Sequence, residues 1–272
     1  MSPIDLEALE AAYERGLAAE RAGDEAAAAA AWRDCLALDP EDRGGAAVRL
    51  AALGQGPSPE RASPLYVATL FDQHAESFEA TLVLSLGYAI PERIAETLSA
   101  LGLGPFARGL DLGCGTGLAA EALEDRVEAM EGVDLSEGML EIAAEKDVYA
   151  GLFAGDAVAF LGGADKGAYD LVVAADVLPY FGEIEPLFDG LAHVLAPGGV
   201  AVFSTETLPA AAFEGTPGWR VGPRQRYAHD PAMLEAALLA RGLGLLSAAP
   251  VTVRYETGVP VPGHLVVARR ND

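Results

Sequence analysis

A short apolar segment followed by three closely spaced glycines constrains this chain more than any other feature. Residues 109–112 form a mostly apolar run, and Gly113, Gly115 and Gly117 follow at alternate positions. We predict a strand that turns directly into a helix at residues 118–123. Glycines suit such a turn because it is tight, and because a Cβ would keep a ligand away from the backbone N–H groups that open the helix. The pattern is typical of the nucleotide-binding end of a parallel sheet.

The spacing of these glycines distinguishes between two kinds of nucleotide site. The dinucleotide fingerprint requires a further glycine or alanine three positions after Gly115. This chain has Leu118 at that position. The sequence therefore argues against a nicotinamide cofactor.

The segment Asp111–Gly117 resembles the first motif of the class I S-adenosylmethionine-dependent methyltransferases. Other landmarks of that family follow in order, so that the resemblance extends over residues 108–270; they are Met130–Ser136, Gly155–Ala157, Asp170–Tyr180 and Leu195–Gly199. The resemblance implies an α/β fold with a Rossmann-like, doubly wound sheet of seven strands, mostly parallel with an antiparallel last strand. It also implies S-adenosylmethionine as the cofactor.

The same resemblance indicates where the cofactor would bind. Asp134 would accept hydrogen bonds from both ribose hydroxyls, and Asp156 would either accept from the adenine amino group or only cap the following helix. Ser136 is expected to cap a helix beside the adenine. Cys114 is expected to be a small buried residue and not a nucleophile, because nothing near it would stabilise a thiolate. The complete set of predicted cofactor residues is Asp111, Gly113, Cys114, Gly115, Gly117, Asp134, Leu135, Ser136, Met139, Asp156, Ala157 and Ala174.

The composition narrows the class of partner. The chain has 272 residues, and its 18 basic and 41 acidic side chains give a formal net charge of −23. A surface of this sign repels nucleic acids and anionic membranes, so we expect neither as a partner. The acidic start Met1–Glu10 and the absence of a long apolar stretch predict no signal peptide and no membrane span. Cys35 and Cys114 form no disulfide framework, which favours the cytoplasm. No zinc-ligand spacing occurs, and we expect no metal.

Residues 1–56 are expected to form a helical hairpin. Leu6–Glu20 and Glu25–Leu38 have helical patterns, separated by a break at Gly23 and Asp24. The hairpin resembles one tetratricopeptide repeat, and the whole chain resembles a bacterial group of predicted methyltransferases with such a repeat at the N-terminus. A single repeat cannot bury its own apolar face. We therefore expect the hairpin to pack on the main domain or on a second copy of the chain, or to bind a protein partner.

Two further segments are predicted to lie near the methyl acceptor. Residues 65–104 are expected to be helical, at Leu65–Thr81 and Pro91–Leu101, and they resemble the lid of small-molecule methyltransferases. The methyltransferase domain is predicted over residues 105–272, with a long insertion at residues 206–230 after its fifth strand. The predicted lid and substrate residues, for each of which a core or surface role is the alternative, are Tyr66, Phe71, Tyr88, Arg220 and Tyr227.

Methyl transfer requires chiefly that the protein align the reactants and exclude water. A hydroxyl or amine acceptor also needs a base. The predicted catalytic residues are Asp176, Tyr180 and His229, with Glu206 as a further candidate base. A carboxylate acceptor needs no base, and an arginine such as Arg220 or Arg226 would hold it instead.

Three functions remain open at this point. Residues 176–180 replace the tetrapeptide that is typical of nucleic-acid and protein-glutamine methyltransferases. This difference favours a small-molecule acceptor, methylated on oxygen, nitrogen or a carboxylate. The alternatives are a protein methyltransferase guided by the hairpin and a non-catalytic adaptor that retains a cofactor pocket. The corresponding partners are a small-molecule substrate and, through the hairpin, a second copy of the chain or another protein.

Overall fold

The computed structural model describes residues 4–271, so Met1–Pro3 of the predicted hairpin and Asp272 lie outside the described residues. The N-terminal part is helical. Its three helices are α1 (Leu6–Ala22), α2 (Glu25–Leu38) and α3 (Ala46–Ala52).

Helices α1 and α2 form the predicted hairpin. Asp5 and Asp24 cap them, each accepting a hydrogen bond from a backbone N–H three residues later. The ring of Trp32 lies over Gly16, where a Cβ would come within 2.6 Å of it. From α3, Arg49 lies 4.8 Å from the Trp32 ring and pairs with Glu20 at 2.7 Å. The hairpin and α3 therefore share one small core around Trp32.

The segment predicted as a lid is less regular than expected. It contains α4 (Pro64–Asp72), a 3₁₀ turn (Ala75–Ser77), a π-helical segment (Ala80–Ser85) and α5 (Ile90–Ala100). The continuous helix predicted at Leu65–Thr81 is therefore wrong. It ends at Asp72, whose carboxylate accepts hydrogen bonds from Ser136 Oγ at 2.5 Å and from the backbone N–H of Gly138 at 3.2 Å. This tertiary contact overrides the helical pattern of the sequence.

The main domain is built on one mixed sheet. Its strands are β1 (Phe106–Leu112), β2 (Val127–Asp134), β3 (Gly151–Ala154), β4 (Tyr169–Ala174), β5 (Leu195–Glu206), β6 (Trp219–Val221), β7 (Tyr227–His229), β8 (Leu243–Glu256) and β9 (Val259–Arg270). Strands β3, β2, β1, β4 and β5 lie side by side and parallel, β9 is antiparallel to β5, and β8 is antiparallel to β9. The predicted mostly parallel sheet with an antiparallel last strand is confirmed.

Residues 4–271 contain nine strands in place of the predicted seven. The two additional strands, β6 and β7, form a short hairpin inside the insertion at residues 206–230 and join the sheet through one residue pair, Glu206 and Ala228. The remaining seven strands match the predicted sheet. The insertion therefore extends the sheet beside the carboxyl end of β5.

Helices cover both faces of the sheet. They are α6 (Leu118–Leu123), α7 (Glu137–Glu145), α8 (Ala157–Gly163), α9 (Glu185–Val194) and α10 (Pro231–Leu239). One apolar core joins α8, α9 and α10 to the sheet, and a second joins α5 and α6 to its other face. The parallel strands β1 to β4 therefore end at the same edge, where ligands bind in open α/β sheets. No helix within residues 4–271 is long and apolar enough to cross a membrane.

Candidate active site

A cavity of about 430 Å³ lies at the carboxyl ends of β1, β2 and β4. This volume is within the range of ligand pockets in proteins. The strand ends and the turns after them form one wall. The lid segment forms the opposite wall, with apolar side chains that include Leu70, Phe71, Phe78 and Leu82.

The glycine turn after β1 lines this cavity. The N–H groups of Gly113 and Cys114 both donate to the carbonyl of Val133, at 2.8 and 3.1 Å, which ties the turn to β2. Gly115 has a φ of +53°, in the left-handed region that favours glycine. A Cβ added there would meet only the ring of Phe78, at 3.9 Å, and would therefore project into the cavity.

Asp134 joins the end of β2 to the glycine turn. Its Oδ2 accepts from the Gly115 N–H at 2.8 Å, and its Oδ1 accepts from the Ser136 N–H at 2.9 Å. Burial raises the pKa of this carboxyl, while the backbone N–H groups of Ser136, Gly115 and Leu135 act to lower it. The carboxylate is therefore fixed at the cavity wall with lone pairs still available to a ligand.

Asp111 is a second carboxylate in the same wall. Its side chain is almost completely buried, and its Oδ2 accepts from the hydroxyl of Tyr149 at 2.7 Å. Its Oδ1 has no hydrogen-bond partner among residues 4–271. Burial is the main cause that raises the pKa of Asp111 to about 7. An unpartnered buried carboxylate oxygen is costly, so this position suits a cationic ligand group.

Asp156 caps the helix that follows β3. Its Oδ1 accepts from the Ala159 N–H at 3.0 Å, and its Oδ2 accepts from Arg61 at 2.9 Å. Asp156 also lines the cavity, together with Leu135 and Ala157. The capping role and the position at the cavity wall are therefore compatible.

The far end of the cavity carries a cluster of charges around Arg254. This guanidinium lies 3.2 Å from Asp176, 2.7 Å from Glu206 and 2.7 Å from Glu256. The side chains of Arg254 and Glu206 are 7 % and 8 % exposed, so solvent screens their attraction little. Arg224 also pairs with Glu256, at 2.7 Å. The cluster holds Asp176 in place beside the cavity.

Asp176 has an unusual backbone conformation. Its φ is +61°, which is uncommon for residues other than glycine, and its N–H donates to Ser204 Oγ at 2.8 Å. Its Oδ1 has no hydrogen-bond partner in the part of the chain that the structure describes. Burial raises its pKa, against the opposing effect of Arg254. Strained conformations of this kind cluster at functional sites.

Tyr180 lies between the lid and the charged cluster. Its ring makes an edge contact with Phe71, at 5.6 Å between centroids, and lies 4.7 Å from the Arg226 guanidinium. Burial raises the pKa of Tyr180 to about 12. The hydroxyl is therefore protonated at neutral pH and can donate a hydrogen bond, but it cannot serve as a base there.

The predicted catalytic residue His229 lies outside the cavity wall. His229 is fully buried; its ring nitrogens lie 3.0 Å from Thr205 Oγ1 and 2.9 Å from the Phe181 carbonyl, and burial lowers its pKa to about 4. Its neutral ring joins β5 and β7 to the turn after β4. It is therefore a core residue.

Tyr227, Arg220 and Tyr66 also lie outside the cavity wall, and their contacts are those of the core or surface role that was the alternative for each. The buried Tyr227 donates its hydroxyl hydrogen to the Pro59 carbonyl, and Arg220 donates to the Ala212 carbonyl. The ring of Tyr66 lies against Gly45, where a Cβ would come within 2.6 Å of it. Phe71 and Tyr88, by contrast, line the cavity.

The predicted cofactor residues divide in the same way. Those in the cavity wall are Asp111, Gly113, Cys114, Gly115, Asp134, Leu135, Asp156 and Ala157. Ser136 and Met139 are fully buried behind the wall, where Ser136 Oγ caps α7 by accepting from the Met139 N–H at 3.1 Å. Ala174 is buried within β4, and Gly117 opens α6. These four residues support the wall from behind.

Sequence reasoning missed Arg254 and Arg61. Arg254 lies on β8, far along the chain from every recognised motif, and Arg61 lies between the predicted hairpin, residues 1–56, and the predicted lid segment, residues 65–104. The sequence signal for Arg254 was its position directly after a mostly apolar segment, residues 243–253. No group of three or more His, Cys, Asp and Glu side chains within residues 4–271 is arranged to hold a metal ion.

Comparison with known proteins agrees with this architecture. Residues 110–203 match the family described as "Methyltransferase domain". A demethylmenaquinone methyltransferase of Mycobacterium sp. (strain KMS) is 36% identical over 154 residues, which cover 55% of this chain and 65% of the relative. A ubiquinone biosynthesis O-methyltransferase of Idiomarina loihiensis is 31% identical over 99 residues, which cover 35% of this chain and 41% of the relative. The chain therefore spans less than two thirds of either relative.

A solved structure shares the fold. The magnesium protoporphyrin IX methyltransferase of Synechocystis PCC 6803, determined with bound SAH, superimposes with a TM-score of 0.51 and 22% identity, over 67% of this chain and 82% of that one. Residues 110–203 are thus similar to the family described as "Methyltransferase domain", and the chain shares the fold of the magnesium protoporphyrin IX methyltransferase.

Proposed function

We propose that the protein transfers a methyl group from S-adenosylmethionine to a small-molecule acceptor. The observation that carries the proposal is Asp134, fixed by the N–H groups of Gly115 and Ser136 at the edge of the cavity. A carboxylate at the end of the second strand, beside a glycine turn after the first, suits recognition of a ribose. The small-molecule methyltransferases among the relatives support the choice of acceptor class.

The residues of the cavity fit this cofactor. Asp134 would accept hydrogen bonds from the ribose hydroxyls, and the unpartnered oxygen of Asp111 would receive the ammonium group of the methionine part. Leu135 and Asp156 would lie along the adenine. The cofactor supplies a methyl group already activated by its positive sulfur. The protein then has to bind, align and exclude water, and the apolar lid opposite the strand ends suits that role.

We propose Asp176 as the group that accepts the proton of a hydroxyl or amine acceptor. Its Oδ1 has no partner among the described residues, and burial raises its pKa. Both properties suit a general base. Tyr180 would then orient the acceptor by donating a hydrogen bond from its protonated hydroxyl.

The hairpin at residues 1–56 is proposed to support the lid. Ser63, which caps α4, donates its hydroxyl hydrogen to the Glu41 carbonyl at 2.7 Å, and Tyr66 of α4 packs on Gly45. These contacts join the hairpin unit to the first lid helix. The assignment to the group with an N-terminal tetratricopeptide-like repeat, and the boundaries at residues 56, 65 and 105, remain proposals. A chain that lacks residues 1–56 should still bind the cofactor but should have a lower melting temperature. This result would favour a role of the hairpin in stabilising the lid segment.

One labelling experiment separates the three candidate functions. The protein is incubated with methyl-labelled S-adenosylmethionine and a cell extract divided into small-molecule and protein fractions. Label in the small-molecule fraction supports the proposal, whereas label in the protein fraction supports protein methylation. Cofactor binding without any transfer would support the adaptor function. A parallel incubation without the protein measures the background of the assay.

Removing the charge of Asp134 should weaken cofactor binding. We expect Asp134→Asn to raise the dissociation constant of S-adenosylhomocysteine roughly 10- to 100-fold, the range for a lost hydrogen bond to a charged acceptor. Isothermal titration calorimetry measures the change. The exposed Asp125, which makes no side-chain hydrogen bond with residues 4–271, provides the control variant Asp125→Asn. Unchanged affinity in a folded Asp134→Asn protein would contradict the ribose assignment.

Cofactor binding should depend on pH through Asp111. Its pKa of about 7 leaves the carboxyl neutral in acid, where it cannot pair with an ammonium group. We therefore expect the affinity for S-adenosylhomocysteine to rise with pH up to neutrality, by at most about tenfold per pH unit. The pKa of Asp111 in the folded protein lies above its ordinary value of 3.8. This group therefore stabilises the ligand-free fold below pH 3.8 and loses that contribution as pH rises to about 7.

Calorimetry across this pH range, together with thermal shifts, tests the assignment. The affinity for S-adenosylhomocysteine should be about tenfold higher or more at pH 8 than in mild acid. The increase in melting temperature caused by this ligand should therefore also be larger at pH 8. The Asp111→Asn variant retains the contact with Tyr149 and should bind more weakly, with a flatter pH profile. A wild-type profile that is equally flat would show that Asp111 does not face the ammonium group.

A further inference from the structure

Arg226 differs from the other arginines of the cavity wall in its ion pairs. Arg61 pairs with Asp156, Arg224 with Glu256, and Arg254 with three carboxylates. Arg226 makes no ion pair with any residue between 4 and 271. Among the arginines of the cavity wall, Arg226 is therefore the one whose positive charge is not already paired with a carboxylate of residues 4–271.

The local backbone holds Arg226 in the wall. The turn between β6 and β7 is closed by hydrogen bonds from the Gly222 N–H to the Arg226 carbonyl at 2.7 Å and from the Gln225 N–H to the Gly222 carbonyl at 3.0 Å. The guanidinium lies 4.7 Å from the centre of the Tyr180 ring. A partly buried cation without an anion is unfavourable. The arrangement is therefore suited to an anionic ligand.

The surface next to this cation is apolar. Tyr180 contacts Phe71 at 5.6 Å between ring centroids, and Phe71 contacts Phe78 at 5.8 Å. Leu70 and Leu82 continue the same wall. A ligand that spans this region would therefore meet an aromatic and aliphatic surface at one end and a guanidinium at the other.

We propose that the methyl acceptor is an organic anion with an apolar body, and that Arg226 binds its carboxylate or phosphate group. A guanidinium binds either group through paired N–H donors. The proposal rests on the proposed function, because it assigns the acceptor of that same site. Arg226 lies beside Tyr180 and on the side of Asp176, both of which follow β4. The glycine turn that faces the cofactor follows β1.

Binding of matched acids and neutral compounds tests the proposal. Protein saturated with S-adenosylhomocysteine is titrated with three kinds of anion: 3-phenylpropionate, phenyl phosphate and linear carboxylic acids of increasing length. The neutral counterparts are 3-phenylpropanol and the linear alcohols of the same lengths. We expect the acids to bind about tenfold more tightly than their neutral counterparts. Preference for the carboxylate or for the phosphate identifies the anionic group.

Variants of Arg226 assign the preference to this side chain. Arg226→Gln should abolish the difference between acid and alcohol while S-adenosylhomocysteine binds as in the wild type. Arg226→Lys keeps the charge without the paired donors and should lose part of the difference, which provides a test if the glutamine variant does not fold. Arg220→Gln, in the same β-hairpin but outside the cavity, should retain the full preference.

Three results in the titration of acids and alcohols would overturn the proposal. They are equal binding of acids and alcohols, no binding of any acid, and an acid preference that survives in Arg226→Gln. Weaker S-adenosylhomocysteine binding by Arg226→Gln would also overturn it, because Arg226 would then hold the carboxylate of the cofactor. Failure of the wild-type protein to bind S-adenosylhomocysteine is a separate result, which contradicts the proposed function itself.

Discussion

Replacing Arg254 with methionine is expected to lower the free energy of unfolding by about 3–5 kcal/mol, the range for removing one partner of a buried ion pair. Arg254 holds Asp176, Glu206 and Glu256 together at the end of the cavity. Methionine has a similar length but no charge, so it leaves these carboxylates without a cation. Glu206 is affected most, because its side chain is only 8 % exposed. Urea denaturation of the two proteins measures the difference.

The loss of stability in Arg254→Met should be smaller in acid than at neutral pH. Burial raises the pKa of Asp176 and of Glu206, and Arg254 opposes this effect. Without Arg254 both folded pKa values rise further above their unfolded values. The neutral forms then stabilise the folded state in acid, and this stability is lost as pH rises through the folded pKa values. The variant should therefore recover part of its stability at low pH.

Two further variants control this experiment. Arg93→Met breaks a surface pair with Glu96 whose side chains are 61% and 64% exposed, so it should change stability by no more than about 0.5 kcal/mol. Adding Glu206→Gln to Arg254→Met should restore part of the lost stability, because one unpaired charge is removed. If Arg254→Met lowered the free energy of unfolding no more than Arg93→Met does, the structural role of the cluster around Arg254 would be contradicted.

Replacing Asp176 with asparagine is expected to lower the rate of methyl transfer by about 10²- to 10⁴-fold, the usual contribution of a general base. The affinity for S-adenosylhomocysteine should stay unchanged, because in our proposal Asp176 faces the acceptor and not the cofactor. Asparagine also tolerates the observed φ of +61°. The substitution therefore removes the proton acceptor without disturbing the backbone.

Steady-state kinetics with the acceptor found by the labelling experiment measures this effect. The decrease should lie in kcat, because a proton is removed only during the reaction. Asp189→Asn, which alters an exposed carboxylate on α9, is the matched control. A folded Asp176→Asn protein with wild-type turnover would show that no proton passes to this carboxylate.

The sequence predicted those parts of the fold that local signals determine. Helix α6 has the predicted bounds, Leu118–Leu123, because the glycine turn opens it. The lid could not be predicted in the same way. Its helix ends where Asp72 meets Ser136 and Gly138, and this contact depends on tertiary structure that no local pattern encodes.

Some residues of the proposed site were singled out by sequence motifs and lie in the cavity wall. Asp111, Asp134 and Asp176 belong to motifs near strand ends and line the cavity together. His229 also stands near a strand end, but the direction of its side chain depends on how β7 packs against β5, and the structure turns it into the core. Arg254 is separated from Asp176 along the chain, and only the pairing of β8, β9 and β5 brings them together.

Calorimetric titration with S-adenosylmethionine and S-adenosylhomocysteine tests the central claim most directly. Reduced nicotinamide adenine dinucleotide serves as the control ligand, because the glycine spacing excludes the dinucleotide fingerprint. The account predicts micromolar binding of both sulfur nucleosides, one molecule per chain, and no binding of the dinucleotide. A folded protein that binds neither sulfur nucleoside would contradict the assignment of the cavity as the cofactor site.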